Sequence, residues 1–427
     1  MAQATDTAFQ ILASNCRFGQ GITHEVGLDL VDLGAKRVLL VIDPAIRPLA
    51  TGSTVQQSLE DARLDFAVFD QIEIEPTDGS FLAASKFATD GHFDAIVAVG
   101  GGSTIDTAKA ANVFATHPAD FLDYVNAPIG KGKPVPGPVK PLIAIPTTAG
   151  TGSETTGVAI FDLVSRRVKT GIASKYVRPT LGIVDWDNTR TQPPAVAASA
   201  GLDVLSHALE SYTAIPYDQR VRPARPSERS AYQGSNPMSD VWALRALEII
   251  AEFLPRAVAD TSDDEARMQM ILASSMAGIG FGNAGVHLPH AMAYPVAGMV
   301  REFRPAGFAT DHAMVPHGMS VILHTPAVAR YTASTSPQRH LLGAKALGAD
   351  ISRANPADAG RILADRVIHF MQTLKMPHGL KEVGYSSADI PALVEGTLAQ
   401  QRLIKLSPVV TGAEELSRMF EDSMLIW

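Results

Sequence analysis

Short apolar runs alternate with helical periodicity through the first part of the chain. Residues 37–43 hold the run Val-Leu-Leu-Val-Ile and end on Asp43-Pro44, a turn signal. A helical stretch over 53–63 follows, then a second run at 66–69. Residues 94–99 predict a third strand leading into three glycines, and 142–145 a fourth leading into Pro146. Strands this short and apolar, separated by helices, predict a parallel sheet covered on both faces.

The pattern changes near 185–194. Beyond Pro193-Pro194 apolar positions recur at helical spacing over 195–212, 240–258, 264–279 and 357–374. The expected organisation is an α/β dinucleotide-binding domain over residues 1–190 and an all-α domain over 191–427. Residues 216–237 interrupt the helices as a long loop carrying Arg220, Arg222, Arg225 and Arg229. Residues 268–300 contain no Lys, Arg, Asp or Glu, a length that raises the question of a membrane span. The glycines, Asn283, His287 and His290 within them are costly against lipid, so a buried helical segment beside a site is expected.

Composition narrows the function classes. The chain has 427 residues, 46% hydrophobic and 19% charged, enough for two or three globular domains. A net charge of −8 and a pI of about 5.8 argue against a nucleic-acid partner. The single cysteine, Cys16, excludes an intrachain disulfide and a multi-thiolate zinc site, so any metal must be held by His, Asp and Glu. The first sixteen residues lack Lys, Arg and a long apolar core, so no targeting signal is expected.

Two strand-to-helix loops suit phosphate. Gly100, Gly101, Gly102 and Ser103 open a helix that continues through Asp106, and free N–H groups at such a start bind anions. The spacing is neither the ordinary dinucleotide fingerprint nor a P-loop. A second loop holds Thr147, Thr148, Thr151 and Ser153. Ligands bind outside the carboxyl ends of strands in open α/β sheets, so two hydroxyl-rich loops there suit a dinucleotide. Asp43 either accepts from the adenosine ribose, which favours NAD over NADP, or merely starts a turn. Lys169 either reaches the cofactor or stays on the surface.

The helical half carries candidate metal ligands. Asp203 and His207 lie one turn apart with Glu210 on the same side, while Leu202, Leu205, Leu209 and Tyr212 form the apolar stripe. His287, His290 and Tyr294 follow a helical spacing, and His317 stands at a loop corner. Asp203, His207, His290 and His317 form the expected ligand set, suited to Fe²⁺ or Zn²⁺. Such an ion lowers the pKa of an alcohol, and hydride then passes to a nicotinamide. His287 is either a catalytic group or a satisfied core histidine.

The motifs GGGSTIDTAK, IPTTAGTGSE, GLDVLSHALESY, HLPHAMAYP and VPHG, in that order, resemble the iron-containing alcohol dehydrogenase superfamily over most of the chain. The resemblance implies the dehydroquinate synthase-like fold, one divalent metal on the four positions named, iron before zinc, and NAD(P) over the two glycine loops. FLDYVNAPIGKGKPV, TGSETTGVAIFD, AYQGSNPMSD and GFGNAGVHLPHAMAYP resemble its hydroxyacid-oxoacid transhydrogenase branch. That branch oxidises 4-hydroxybutyrate to succinate semialdehyde and reduces 2-oxoglutarate to 2-hydroxyglutarate through retained NAD. Many members carry His where this chain has Tyr294. Residues 216–237 and 300–315 are longer than in simple members, and their arginines, Arg301 and Arg304 included, are expected to supply a contact to a substrate carboxylate. Tyr294, His287 and a ribose hydroxyl are the candidates for the proton path. The alternative is a plain NAD(P)-dependent alcohol dehydrogenase or aldehyde reductase. Small hydroxy and oxo acids, no nucleic acid and no membrane are the expected partners, with a homodimer as the assembly. Because eukaryotic members carry a mitochondrial presequence, a bacterial cytoplasmic protein is expected.

Overall fold

The computed structural model describes residues 4–308, 310 and 312–427, with Ser227 described by its backbone alone. Ala309 and Asp311, inside the long 300–315 stretch, lie outside the described residues. The chain forms two compact units, Ala13–Gln192 and Pro193–Trp427, the second joined by the N-terminal arm up to Leu12.

The first unit is built on a six-stranded parallel sheet. Its strands are β1 (Asn15–Phe18), β2 (Arg37–Ile42), β3 (Asp65–Phe69), β4 (Ala95–Gly100), β5 (Leu142–Pro146) and β8 (Leu181–Val184). They lie in the order β1-β8-β5-β4-β2-β3. Side chains alternate between two buried layers, as the period of a strand requires. Val38, Leu40, Ile42, Val97 and Val99 pack with Val55 and Leu59 of α2 (Ala50–Asp61). Leu39, Val41, Ile96 and Ala98 pack with Ala84 of α3 (Asp78–Asp90) and Ile105 and Ala108 of α4 (Gly102–Thr116). Burial on both faces explains why these strands read as unbroken apolar runs. Strand order reverses between β2 and β4, the place where open α/β sheets take their ligands. An antiparallel hairpin, β6 (Val158–Leu163) and β7 (Val168–Ala173), lies outside the expected pattern.

The second unit is helical. Its central helix α5 (Pro194–Thr213) has Pro at its start, where a missing N–H costs nothing, and is buried almost throughout. Around it lie α6 (Pro237–Ala259), α7 (Asp264–Ala284), α8 (Leu288–Gly298) and α9 (His317–Ile322). Asn236 caps α6 by accepting from Ser239 N at 2.9 Å, which sets the start ahead of the expected 240. The uncharged stretch divides between the greater part of α7 and the whole of α8, and no helix among the described residues is long and apolar enough to cross a membrane.

The N-terminal arm lies on the long 216–237 loop. The Asp6 carboxylate accepts twice from Arg229, each bond 2.9 Å. The side-chain amide of Gln233 pairs with both backbone groups of Gln10, and that of Asn283 with both of Leu12. These bonds, of residues more than two hundred positions apart, explain why the arm groups with the helical unit.

Candidate active site

The candidate metal centre is assembled from three helices of the second unit. Asp203 and His207 come from α5, His290 from α8 and His317 from the first position of α9. Their ligand atoms all lie within 4.8 Å of one another. The Nε2 atoms of His207, His290 and His317 stand 3.7, 3.6 and 3.8 Å from Asp203 Oδ1. These separations are long for hydrogen bonds. They are close to the ~3.4 Å edge of a tetrahedron whose ligands sit ~2.1 Å from a shared ion. Asp203 Oδ1 and His290 Nε2 are buried with no hydrogen-bond partner among the described residues. Buried polar atoms are seldom left so, and a cation among them satisfies both. The donor set fits a divalent ion.

Local packing explains the convergence. Ser199 Oγ accepts from Met319 N at 3.1 Å and seats the start of α9 on α5. Gly318 permits that approach, since a Cβ there would lie 2.0 Å from Ser199 O. The ring of Phe281 stacks on His207, centroids 4.0 Å apart. Glu210 reaches across from α5 to α8, where its Oε1 lies 2.6 Å from His290 Nδ1 and its Oε2 accepts from His287 N at 2.6 Å. A ligand histidine held from behind by a carboxylate keeps one orientation and presents Nε2 forward. The sequence placed Glu210 beside Asp203 and His207 but gave it no role, because its partners lie about eighty residues on.

Burial and charge set the protonation states. Burial pushes His207 down to about 3 and His287 down to about 4, so both rings are neutral at pH 7. Burial also opposes ionisation of Asp203, but the three imidazoles outweigh it and hold the carboxyl below its usual range. His290 is the exception: burial lowers it, Glu210 and Asp203 overcome that, and it rises to about 9.

The other expected residues are placed as follows. His287 precedes the first residue of α8 rather than sharing its face, and its Nε2 lies 3.1 Å from Thr213 Oγ1. Tyr294 is buried on α8 with its ring centroid 6.3 Å from that of His317. Of the arginines expected near substrate, Arg229 is held by Asp6 and Arg301 pairs with Asp389. Arg222, Arg225 and Arg304 are exposed.

In the first unit both glycine loops lie at adjacent strand ends, with Gly100 opposite Pro146. A Cβ on Gly101 would stand 3.3 Å from Thr148, and one on Gly102 2.5 Å from Thr151 Cγ2, so the loops face one another at contact distance. No side chain caps the start of α4, which leaves its first N–H groups available. Thr147 N donates to Gly100 O at 3.0 Å, and Ser103 Oγ accepts from Glu75 N at 3.3 Å. Asp43 follows the last residue of β2 and accepts from Ala45 N, the turn role. Asp106 and Ser153 bond to each other at 2.6 Å, and the fully buried Lys109 donates to Ser153 Oγ, Thr156 Oγ1 and Val158 O. Those groups tie the second loop to α4. Lys169 is buried, not on the surface, and pairs with Glu75 and Asp162 at 2.7 and 3.0 Å.

Comparison with known proteins gives the family. Residues 13–186 match the iron-containing alcohol dehydrogenase family, and residues 228–424 match the C-terminal domain of the Fe-containing alcohol dehydrogenase family. The chain belongs to the iron-containing alcohol dehydrogenase family. It is therefore an oxidoreductase of this fold, with a helical metal-binding half and an α/β dinucleotide-binding half. Mitochondrial hydroxyacid-oxoacid transhydrogenase of Rattus norvegicus is 55% identical over 427 residues, covering 100% of this chain and 91% of the relative. The Homo sapiens protein of the same name is 53% identical with the same coverage. Among solved structures, 1,3-propanediol oxidoreductase superposes with a TM-score of 0.85 at 28% identity, covering 97% of this chain and 100% of that one. Sulfoacetaldehyde reductase from Bifidobacterium kashiwanohense, solved with NAD+, gives 0.78 at 25% identity, covering 98% and 99%. The relatives correct one expectation: they are named as mitochondrial proteins, which overturns the reading of a cytoplasmic location, and they lend no support to a bacterial source.

Proposed function

We propose that this chain is a hydroxyacid-oxoacid transhydrogenase. It oxidises 4-hydroxybutyrate to succinate semialdehyde and reduces 2-oxoglutarate to 2-hydroxyglutarate, with NAD carrying the hydride between them. The observation that carries the reading is the full-length identity of 53–55% to relatives of that name, together with a convergent Asp-His₃ centre.

Each residue then has a defined task. Asp203, His207, His290 and His317 hold one divalent ion, Fe²⁺ before Zn²⁺ by family. Such an ion would supply Lewis acidity at an alcohol or carbonyl oxygen, and a bound dinucleotide would supply the hydride carrier. Glu210 aims His290 at the ion position. The neutral ring of His287 and the hydroxyl of Tyr294 are the groups available to pass the alcohol proton. Gly100, Gly101, Gly102 and Ser103 take the pyrophosphate at the start of α4, while Thr147, Thr148 and Thr151 offer hydroxyls from the facing loop. The Asp43 carboxylate at the strand-order reversal favours a free ribose 2′-hydroxyl, hence NAD.

The test is transfer between 4-hydroxybutyrate and 2-oxoglutarate by metal-loaded enzyme with no added dinucleotide. Turnover supports the reading. Turnover that needs added NAD(P) and proceeds equally well with simple alcohols points instead to a plain alcohol dehydrogenase.

A further inference from the structure

The arginines expected to meet a substrate carboxylate are mostly spent elsewhere. Arg229 and Arg301 are bound to Asp6 and Asp389, and Arg220 has Asp6 as its charged neighbour. A different arginine has the required character. Arg402 lies on α14 (Gln401–Ile404), and its Nη1 is buried with no hydrogen-bond partner among the described residues. Its guanidinium carbon sits 4.6 Å from the centroid of the Tyr232 ring.

We propose that Arg402 holds the carboxylate shared by the hydroxy-acid and oxo-acid substrates. The proposal rests on the function given above and adds the residue that selects the substrate class.

Three features carry it. First, a guanidinium stays charged, so an unsatisfied buried N–H on it is costly until an anion arrives. Second, the cation–π contact with Tyr232 anchors the guanidinium, whose planar fork suits the paired hydrogen bonds a carboxylate accepts. Third, its helix packs against one that supplies a candidate metal ligand. Helix α14 packs on α8, which carries His290 and Tyr294. Tyr232 and Leu406 close around Gly285, where a Cβ would lie 2.9 Å from Tyr232 Cβ and 2.4 Å from Leu406 Cδ1. Gly285 stands two residues before His287.

The test is an internal competition between 4-hydroxybutyrate and butane-1,4-diol for the same enzyme, with 2-oxoglutarate as common acceptor. The diol carries a hydroxymethyl group where the acid carries its carboxylate. The product ratio reports the ratio of kcat/KM for acid over diol, whatever the variant does to the acceptor. In Arg402→Gln that ratio falls about tenfold to a hundredfold, the range of lost charge-assisted hydrogen bonds. In Arg402→Lys it falls less, since the charge remains and the fork is lost. An unchanged ratio in a folded Arg402→Gln with one metal per chain overturns the proposal. If that variant does not fold, Arg402→Lys decides, and a ratio equal to wild type overturns it. Wild-type enzyme that transfers from neither donor overturns the proposed function itself, and this inference with it.

Discussion

Glu210 Oε1 lies 2.6 Å from His290 Nδ1, while the other nitrogen of that ring faces Asp203 Oδ1 at 3.6 Å. One imidazole thus links a carboxylate behind the candidate centre to a carboxylate within it. Replacing Glu210 releases the ring and leaves His287 N without its acceptor. Glu210→Gln is expected to weaken divalent-metal affinity about tenfold to a hundredfold. Competition against a chelator measures it, and an affinity equal to wild type contradicts the assignment.

The same link makes metal binding depend on pH. His290 titrates at about 9 in the metal-free chain, so at pH 7 it carries a proton that an ion must displace. His207 is already neutral and Asp203 already ionised. The expected result is release of about one proton per ion bound, with affinity rising roughly tenfold per pH unit below 9 and levelling above it. Calorimetry in buffers of different ionisation enthalpy counts the protons. Proton-independent binding at pH 7 sinks the prediction.

Contact between the two glycine loops predicts a rescue. Gly102→Ala places its methyl 2.5 Å from Thr151 Cγ2, so the loops must part and the dinucleotide is expected to bind at least tenfold more weakly. Thr151→Ser removes that methyl, and the double variant should recover part of the loss. Fluorescence titration with NADH checks both steps, and a double variant no better than the single one refutes the steric account.

The arm contributes stability through one ion pair. Asp6 is buried and Arg229 half-buried, and the Arg229 hydrogen bonds hold the Asp6 carboxyl below its usual range. A folded pKa below the unfolded value of about 3.9 gives a contribution that is full above that pH and fades as the carboxyl protonates. Asp6→Asn is expected to lower the urea midpoint at pH 7. Urea unfolding of both proteins at pH 7 tests it, and equal midpoints would show that the arm is held without this pair.

Much of this was legible in the chain. The strands β2, β4 and β5 are apolar runs closed by Asp43-Pro44, the glycine triplet and Pro146, and Asp203 and His207 declare themselves by helical spacing. The rest depended on distance. Glu210 gains its role only when α8 folds against α5, and Arg402 stands in an unremarkable stretch until Tyr232 lies beneath it. The arm has no local pattern, because side-chain amides of Gln233 and Asn283 hold it. The hairpin β6–β7 follows a polar loop and turns at Arg166-Arg167, with neither glycine nor proline to mark it.

The central claim is hydride transfer between two acids without free dinucleotide. Metal-loaded, desalted enzyme is given 4-hydroxybutyrate deuterated at C4 together with unlabelled 2-oxoglutarate, and the 2-hydroxyglutarate formed is read by mass spectrometry. The account predicts deuterium at C2 of the product over many turnovers with no NAD added. Absence of labelled product until NAD is supplied, or product carrying only solvent hydrogen, contradicts it.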